Sequence, residues 1–121
     1  MKRILVMEDH FVVRDTLQEI LEDAGYDVMV AEDGMDGVDK ARIFKPDLVL
    51  SDIMMPRMNG FQAFKELRKE GLVDNKHILF LSAFADASEE YIELGLLKED
   101  IMAKPFQIAE LLSSIEKRLN Q

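Results

Sequence analysis

The sequence predicts a doubly wound α/β fold, with helices on both faces of a parallel sheet, and three observations carry that expectation. Short apolar runs alternate with amphipathic segments along the whole chain. The runs are continuous instead of alternating in polarity, which suits strands buried on both faces, as in a parallel sheet. The connections are short and leave no room for a linker. Regular alternation of strand and helix packs helices on both sheet faces.

The first strand is predicted at Ile4-Leu5-Val6-Met7 and the second at Val28-Met29-Val30-Ala31. Leu48-Val49-Leu50, Ile78-Leu79-Phe80-Leu81 and Ile101-Met102-Ala103 supply the third, fourth and fifth. Val13, Leu17, Ile20, Leu21 and Ala24 form one face of the first helix, which His10 starts and Gly25 caps. Val38, Ala41 and Phe44 mark a second helix stopped before Pro46, and Phe61, Phe64 and Leu67 a third. The fourth falls near Ala87 to Leu94, and the last carries Ile108, Leu111, Leu112, Ile115 and Leu119 on one stripe. One domain over residues 1–121 is expected, either standing alone or cut from a longer protein.

A chain of 121 residues, 48% of them hydrophobic, can bury a real core. With 24 acidic and 15 basic residues, the net charge of -9 opposes direct nucleic-acid binding and favours a cation where carboxylates converge. The chain has no cysteine, which excludes disulfides, thiolate metal sites and cysteine nucleophiles. The N-terminal apolar run stops after four residues, too short for a signal peptide or membrane span, so a cytoplasmic location is expected.

In such sheets ligands bind at the carboxyl ends of the strands. Glu8-Asp9 follows the first run, Asp52 the third, Ser82 the fourth and Lys104-Pro105 the fifth. Two like charges 4 Å apart repel by roughly 4 kcal/mol at an effective dielectric near 20. Gathered carboxylates therefore call for a cation, and an oxygen-rich site completed by water and phosphate suits magnesium. Asp52 is then a candidate nucleophile, with Lys104 neutralising a transferring phosphoryl group and Ser82 donating a hydrogen bond to it. Singly, each of these residues reads as a turn former, a helix cap or a surface lysine. As a set they do not.

The residues that carry this chemistry resemble the bacterial response-regulator receiver domain over essentially the full chain. The matching segments are residues 4–9, the stretch from Asp47 to Gly60 with Asp52-Ile53-Met54-Met55-Pro56 at its centre, Leu81-Ser82-Ala83, and Lys104-Pro105-Phe106. The resemblance implies a sheet of strand order 2-1-3-4-5 with five helices. It implies Asp52 as phosphoacceptor and Glu8 and Asp9 as the acidic pair that holds Mg2+, Asp9 the more direct ligand. Asp52 and the Met54 backbone carbonyl would complete the protein ligands. Ser82 takes the switch hydroxyl position, and Lys104, before a cis proline, the phosphate contact. The phosphoryl donor implied is a phosphohistidine on a sensor histidine kinase or phosphotransfer protein. The implied output is a protein target bound on the face of the fourth helix, fifth strand and fifth helix. A monomer is expected, with phosphorylation-dependent dimerisation through that face as the alternative.

The sequence departs from the family in places. Ile101 stands where an aromatic switch residue is common, and an isoleucine has no ring to swing. The stretch from Gly95 to Asp100 is about two residues longer than the usual turn, which reads as loop-length variation. Met54 and Phe84, each two residues beyond a site residue, are apolar, which predicts poor orientation of attacking water and a long-lived phosphorylated state. His10 and His77 lie on different segments of an oxygen-rich design, so neither is expected to ligate metal. The eight methionines read as core and loop residues. Apolar residues near Phe84, Tyr91 and Leu96 are assigned to a partner surface.

Rival functions fit less well. A phosphatase of the haloacid-dehalogenase type needs a second Asp where Met54 stands, so a turnover enzyme lacks its acid. A flavodoxin-like cofactor binder needs a phosphate-cradling loop where Glu8-Asp9 stands. The runner-up keeps the fold and docks a partner without phosphorylation.

Overall fold

The computed structural model describes residues 1–83 and 90–120. Its strands are β1 (Arg3–Met7), β2 (Asp27–Ala31), β3 (Leu48–Asp52), β4 (Ile78–Ser82) and β5 (Ile101–Ala103). They form one parallel sheet of order β2-β1-β3-β4-β5. Between them lie α1 (Phe11–Asp23), α2 (Gly34–Phe44), α3 (Gly60–Lys69), α4 (Glu90–Glu93) and α5 (Ile108–Leu119). The expected order and all five strand positions hold, with the strands reaching one or two residues further in places, so that Asp52 and Ser82 are the last residues of β3 and β4.

Alternation along the strands divides the core in two. Leu5, Met7, Val49, Ile78 and Phe80 face one side, where Val38, Ala41, Phe61, Phe64 and Leu67 from α2 and α3 cover them. Ile4, Val6, Leu48, Leu50, Leu79 and Leu81 face the other, against Leu17 and Leu21 of α1 and Leu111 and Ile115 of α5. Each fully buried side chain of this kind contributes roughly 1.5–3 kcal/mol. On the first side Phe80 takes the edges of Phe61 and Phe64, at centroid distances of 4.9 and 5.9 Å.

Helix ends follow from local chemistry. Gly25, at φ +97°, follows α1 and takes the left-handed conformation that closes a helix. Lys45 ends α2 at φ 53°, immediately before Pro46. Asn59 caps α3 in a reciprocal box with Gln62, each side chain accepting the other's backbone amide at 2.9 Å.

Some expectations need correction. Leu96 is not a surface residue: after the Gly95 turn the chain folds back and buries it, leaving Leu97 outside. Tyr91 is half-buried against the same core, and the exposed apolar residue of α4 is Ile92. Ile108 begins α5 but stands 53% exposed, one turn before the buried Leu111. The expected start of the fourth helix at Ala87, and Phe84, lie outside the described residues. The long stretch before β5 is a 3-10 turn at Lys98–Asp100. Its buried Asp100 accepts from Arg118 of α5 at 2.8 Å, and Arg118 also donates to the carbonyls of Ile78 and Glu99.

Candidate functional site

The strand register sets the site. Met7 pairs with Ser51, Asp52 with Leu81 and Ser82 with Ala103, so the ends of β1, β3, β4 and β5 lie at one sheet edge. Residues that leave those ends are brought together whatever their separation in sequence.

Asp52 is 8% exposed, and its Oδ1 accepts the Ile53 amide at 3.0 Å. Its Oδ2 faces Lys104 Nζ at 3.3 Å. The turn below is held by Gly60, whose amide donates to the Ile53 carbonyl at 2.8 Å. A Cβ on Gly60 would collide with the Asp52 carbonyl oxygen, so this close approach requires glycine.

Glu8 is fully buried, and Arg14 of α1 anchors its carbonyl at 2.9 Å. Lys104 Nζ lies 3.5 Å from Glu8 Oε2, too far for a good hydrogen bond. Burial pushes the Glu8 carboxyl above its ordinary 4.5, and the Asp52 charge adds to this. Lys104 and the His10 amide oppose the rise without cancelling it. Lys104 is positioned by its own amide, which donates to the Ser82 carbonyl at 2.7 Å, and the Lys104-Pro105 bond is cis, as the resemblance implied. Ser82 is buried at the end of β4, beside this strand exit.

Glu8, Asp9, Asp52 and Lys104 thus meet, Ser82 ends the adjacent strand, and two other expected positions lie apart. Met54 occupies the loop after Asp52, but its side chain is 71% exposed and points away from the packed interior. Ile101 is half-buried against the core that contains Phe80, Leu94 and Leu96.

Ligand atoms of Glu8, Asp9, His10 and Asp52 lie within 4.8 Å of one another. Among the described residues, Glu8 Oε2 and Asp9 Oδ1 are buried without a hydrogen-bond partner. Orphaned carboxylate oxygens of this kind carry a large desolvation cost that a hard divalent cation removes, so the donor set fits Mg2+.

One feature departs from the sequence reading and another went unread. His10, expected to start α1 away from the metal site, does precede α1 but brings its ring nitrogen to 3.3 Å from Glu8 and Asp9. Asp33, before α2, accepts from the Asp36 amide at 2.8 Å and from Arg57 Nε at 2.7 Å. Arg57 holds a left-handed backbone (φ 65°), and the Gly34 amide donates to the Met58 carbonyl at 3.2 Å. This latch ties α2 to the loop that follows Asp52. Asp33-Gly34 is a legible helix start, but nothing local announces its long-range partner.

The family model for the response regulator receiver domain matches residues 4–116. The response regulator MprA of a Mycobacterium species is 37% identical over 119 residues, covering 98% of this chain and 51% of that protein. The alkaline phosphatase synthesis transcriptional regulatory protein PhoP of Bacillus subtilis is 36% identical over 120 residues, covering 99% and 49%. The chain therefore spans about half the length of these relatives. Among solved structures, the receiver domain of the Francisella response regulator 1452 is 28% identical with a TM-score of 0.82, covering 99% of this chain and 98% of that one. The receiver domain of the Pseudomonas aeruginosa sensor histidine kinase PA1611, solved with a magnesium ion in its active-site cleft, is 28% identical with a TM-score of 0.79, at 99% and 98% coverage. Order of strands, strand-end carboxylates and sequence relatives agree, and the chain belongs to the response regulator receiver domains of two-component signalling.

Proposed function

We propose that Asp52 is the phosphoacceptor and that Asp9, Asp52 and the Met54 carbonyl hold Mg2+, with Glu8 as the buried acid that completes the negative pocket. The observation that carries this reading is the Asp52 carboxylate, which is buried, faces Lys104 at 3.3 Å and shares its pocket with Glu8 and Asp9.

The Asp52 oxygen not held by the Ile53 amide, Oδ2, attacks the phosphorus of a phosphohistidine. The P–O bond forms as the P–N bond breaks, and the leaving imidazole departs with a proton from solvent. When bound, the cation supplies positive charge to the phosphoryl oxygens. Lys104 would add a second charge, and Ser82 would receive one of the phosphoryl oxygens. Moving Lys104 and Ser82 toward the new phosphoryl group biases the ends of β4 and β5, and the response passes to a protein target on the face of α4, β5 and α5. Ile101 supports this through backbone movement in place of ring rotation. The state is self-limiting and not a turnover activity.

Receiver domains interact with histidine kinases, and a kinase or phosphotransfer protein is the donor here. With a net charge of -9, this domain makes no direct contact with nucleic acid in this reading. No helix among the described residues is long and apolar enough to cross a membrane, in keeping with work in the cytoplasm. The free chain is a monomer in this reading.

Intact mass after incubation with acetyl phosphate tests the core of it. One phosphoryl adduct is expected, dependent on both magnesium and Asp52 and absent in Asp52→Asn. An adduct that persists in Asp52→Asn, or none in the native chain despite magnesium binding, overturns it.

A further inference from the structure

His10 has a placement that the receiver chemistry above does not use. It is the residue before α1, yet its side chain makes no capping hydrogen bond to that helix. Instead Nδ1 lies 3.3 Å from Glu8 Oε1 and 3.3 Å from Asp9 Oδ1. The rest of the ring stands in solvent, with the side chain 73% exposed.

Both separations are long for an N–H···O bond, whose usual distance is about 2.9–3.0 Å. The Glu8 contact is still within reach of a weak hydrogen bond, and both spacings also suit another arrangement. Donors bonded to one ion at about 2.1 Å lie roughly 3.0 Å apart when cis in an octahedron and roughly 3.4 Å apart in a tetrahedron. Nδ1 is therefore spaced from both carboxylates as a neighbouring ligand would be. A second observation points the same way. Glu8 is fully buried, and its Oε2, 3.5 Å from Lys104 Nζ, has no hydrogen-bond partner among the described residues.

A site of carboxylates, a carbonyl and water suits magnesium, whereas imidazole nitrogen suits zinc, cobalt and nickel. We propose that His10 is a metal-selecting ligand, which makes this pocket bind zinc-class divalent ions more tightly than magnesium and lets such an ion displace magnesium beside Asp52. This rests on the metal-site reading given above and adds a nitrogen donor to it. Phosphoryl acceptance by this chain then depends on which divalent ion is available, and zinc-class ions compete directly at the acceptor site. His77 plays no part: it pairs with Asp74 at 2.7 Å on a separate segment, before β4.

Calorimetric titration of the full chain with magnesium chloride, zinc chloride and cobalt chloride tests this, beside His10→Ala and His77→Ala. Zinc and cobalt affinity is expected to fall at least tenfold in His10→Ala, while magnesium affinity stays within twofold. His77→Ala should match the native chain. A variant-independent readout is the ring nitrogen spectrum of the native protein, in which zinc should shift the His10 resonances and leave those of His77 in place. Equal zinc affinity in His10→Ala, or His10 ring signals unmoved by bound zinc, overturns the inference while leaving the carboxylate site standing. Failure of magnesium and zinc alike to bind overturns the metal-site reading, and this inference with it.

Discussion

Glu8 illustrates how a single buried acid taxes a fold that uses it. Its carboxyl is raised above 4.5 first by burial and then by the charge of Asp52. The folded chain therefore holds a proton that the unfolded chain has released, so stability falls as pH rises from 4.5 through the raised value. Above that interval the cost is fully present. Glu8→Gln is expected to raise the melting temperature of the metal-free protein at neutral pH by about 4 °C, equivalent to about 1 kcal/mol. Added magnesium should stabilise the native chain more than this variant, which a thermal melt at each magnesium concentration will show. At Met54 the expectation concerns lifetime. Its apolar side chain offers no hydrogen bond to an attacking water, so Met54→Asn should shorten the phosphorylated state about tenfold, or roughly 1.4 kcal/mol of barrier. The loss of phosphorylated mass with time measures it, and equal decay in the two proteins would refute it. Asp52, Ser82 and Lys104 were legible in the sequence because each ends or follows a continuous apolar run, and a parallel sheet gathers such positions. The orientation of the His10 ring was not, because a side-chain rotamer depends on what surrounds it.

Elements are joined by ties that periodicity does not announce. The Asp33 carboxyl would be raised by burial, but the Asp36 amide and Arg57 outweigh this and hold it below 3.8. A lowered value means that its contribution is present above pH 3.8 and lost as pH falls through the folded value. Asp33→Ala removes both the cap of α2 and the partner of Arg57, and should cost about 2 kcal/mol in urea unfolding at pH 7. The difference from the native chain should shrink below pH 3.8; a constant difference would show that the carboxylate charge is not involved. Helix α5 was readable from its stripe, although Ile108 at its start is exposed. The stretch before β5 was not, because Gly95 breaks the helical register and nothing periodic fixes which of Leu96 and Leu97 turns inward.

At the scale of the molecule, continuous apolar runs were enough to place all five strands. Their order rested on resemblance, because a continuous apolar run is common to every strand and says nothing about neighbours. The sheet that results is also a partition. Alternate residues of the same strand serve different interiors, Leu5 with Phe64 on one side and Val6 with Leu111 on the other. Paired substitutions on opposite sides, such as Leu67→Ala with Leu111→Ala, should lower stability additively to within about 0.5 kcal/mol. Pairs on one side, such as Phe64→Leu with Leu67→Ala, share neighbours and should depart from additivity, and double-mutant cycles in urea will separate the cases. The two interiors can accordingly accumulate sequence change at independent rates, and only the strand backbones oblige one to keep pace with the other.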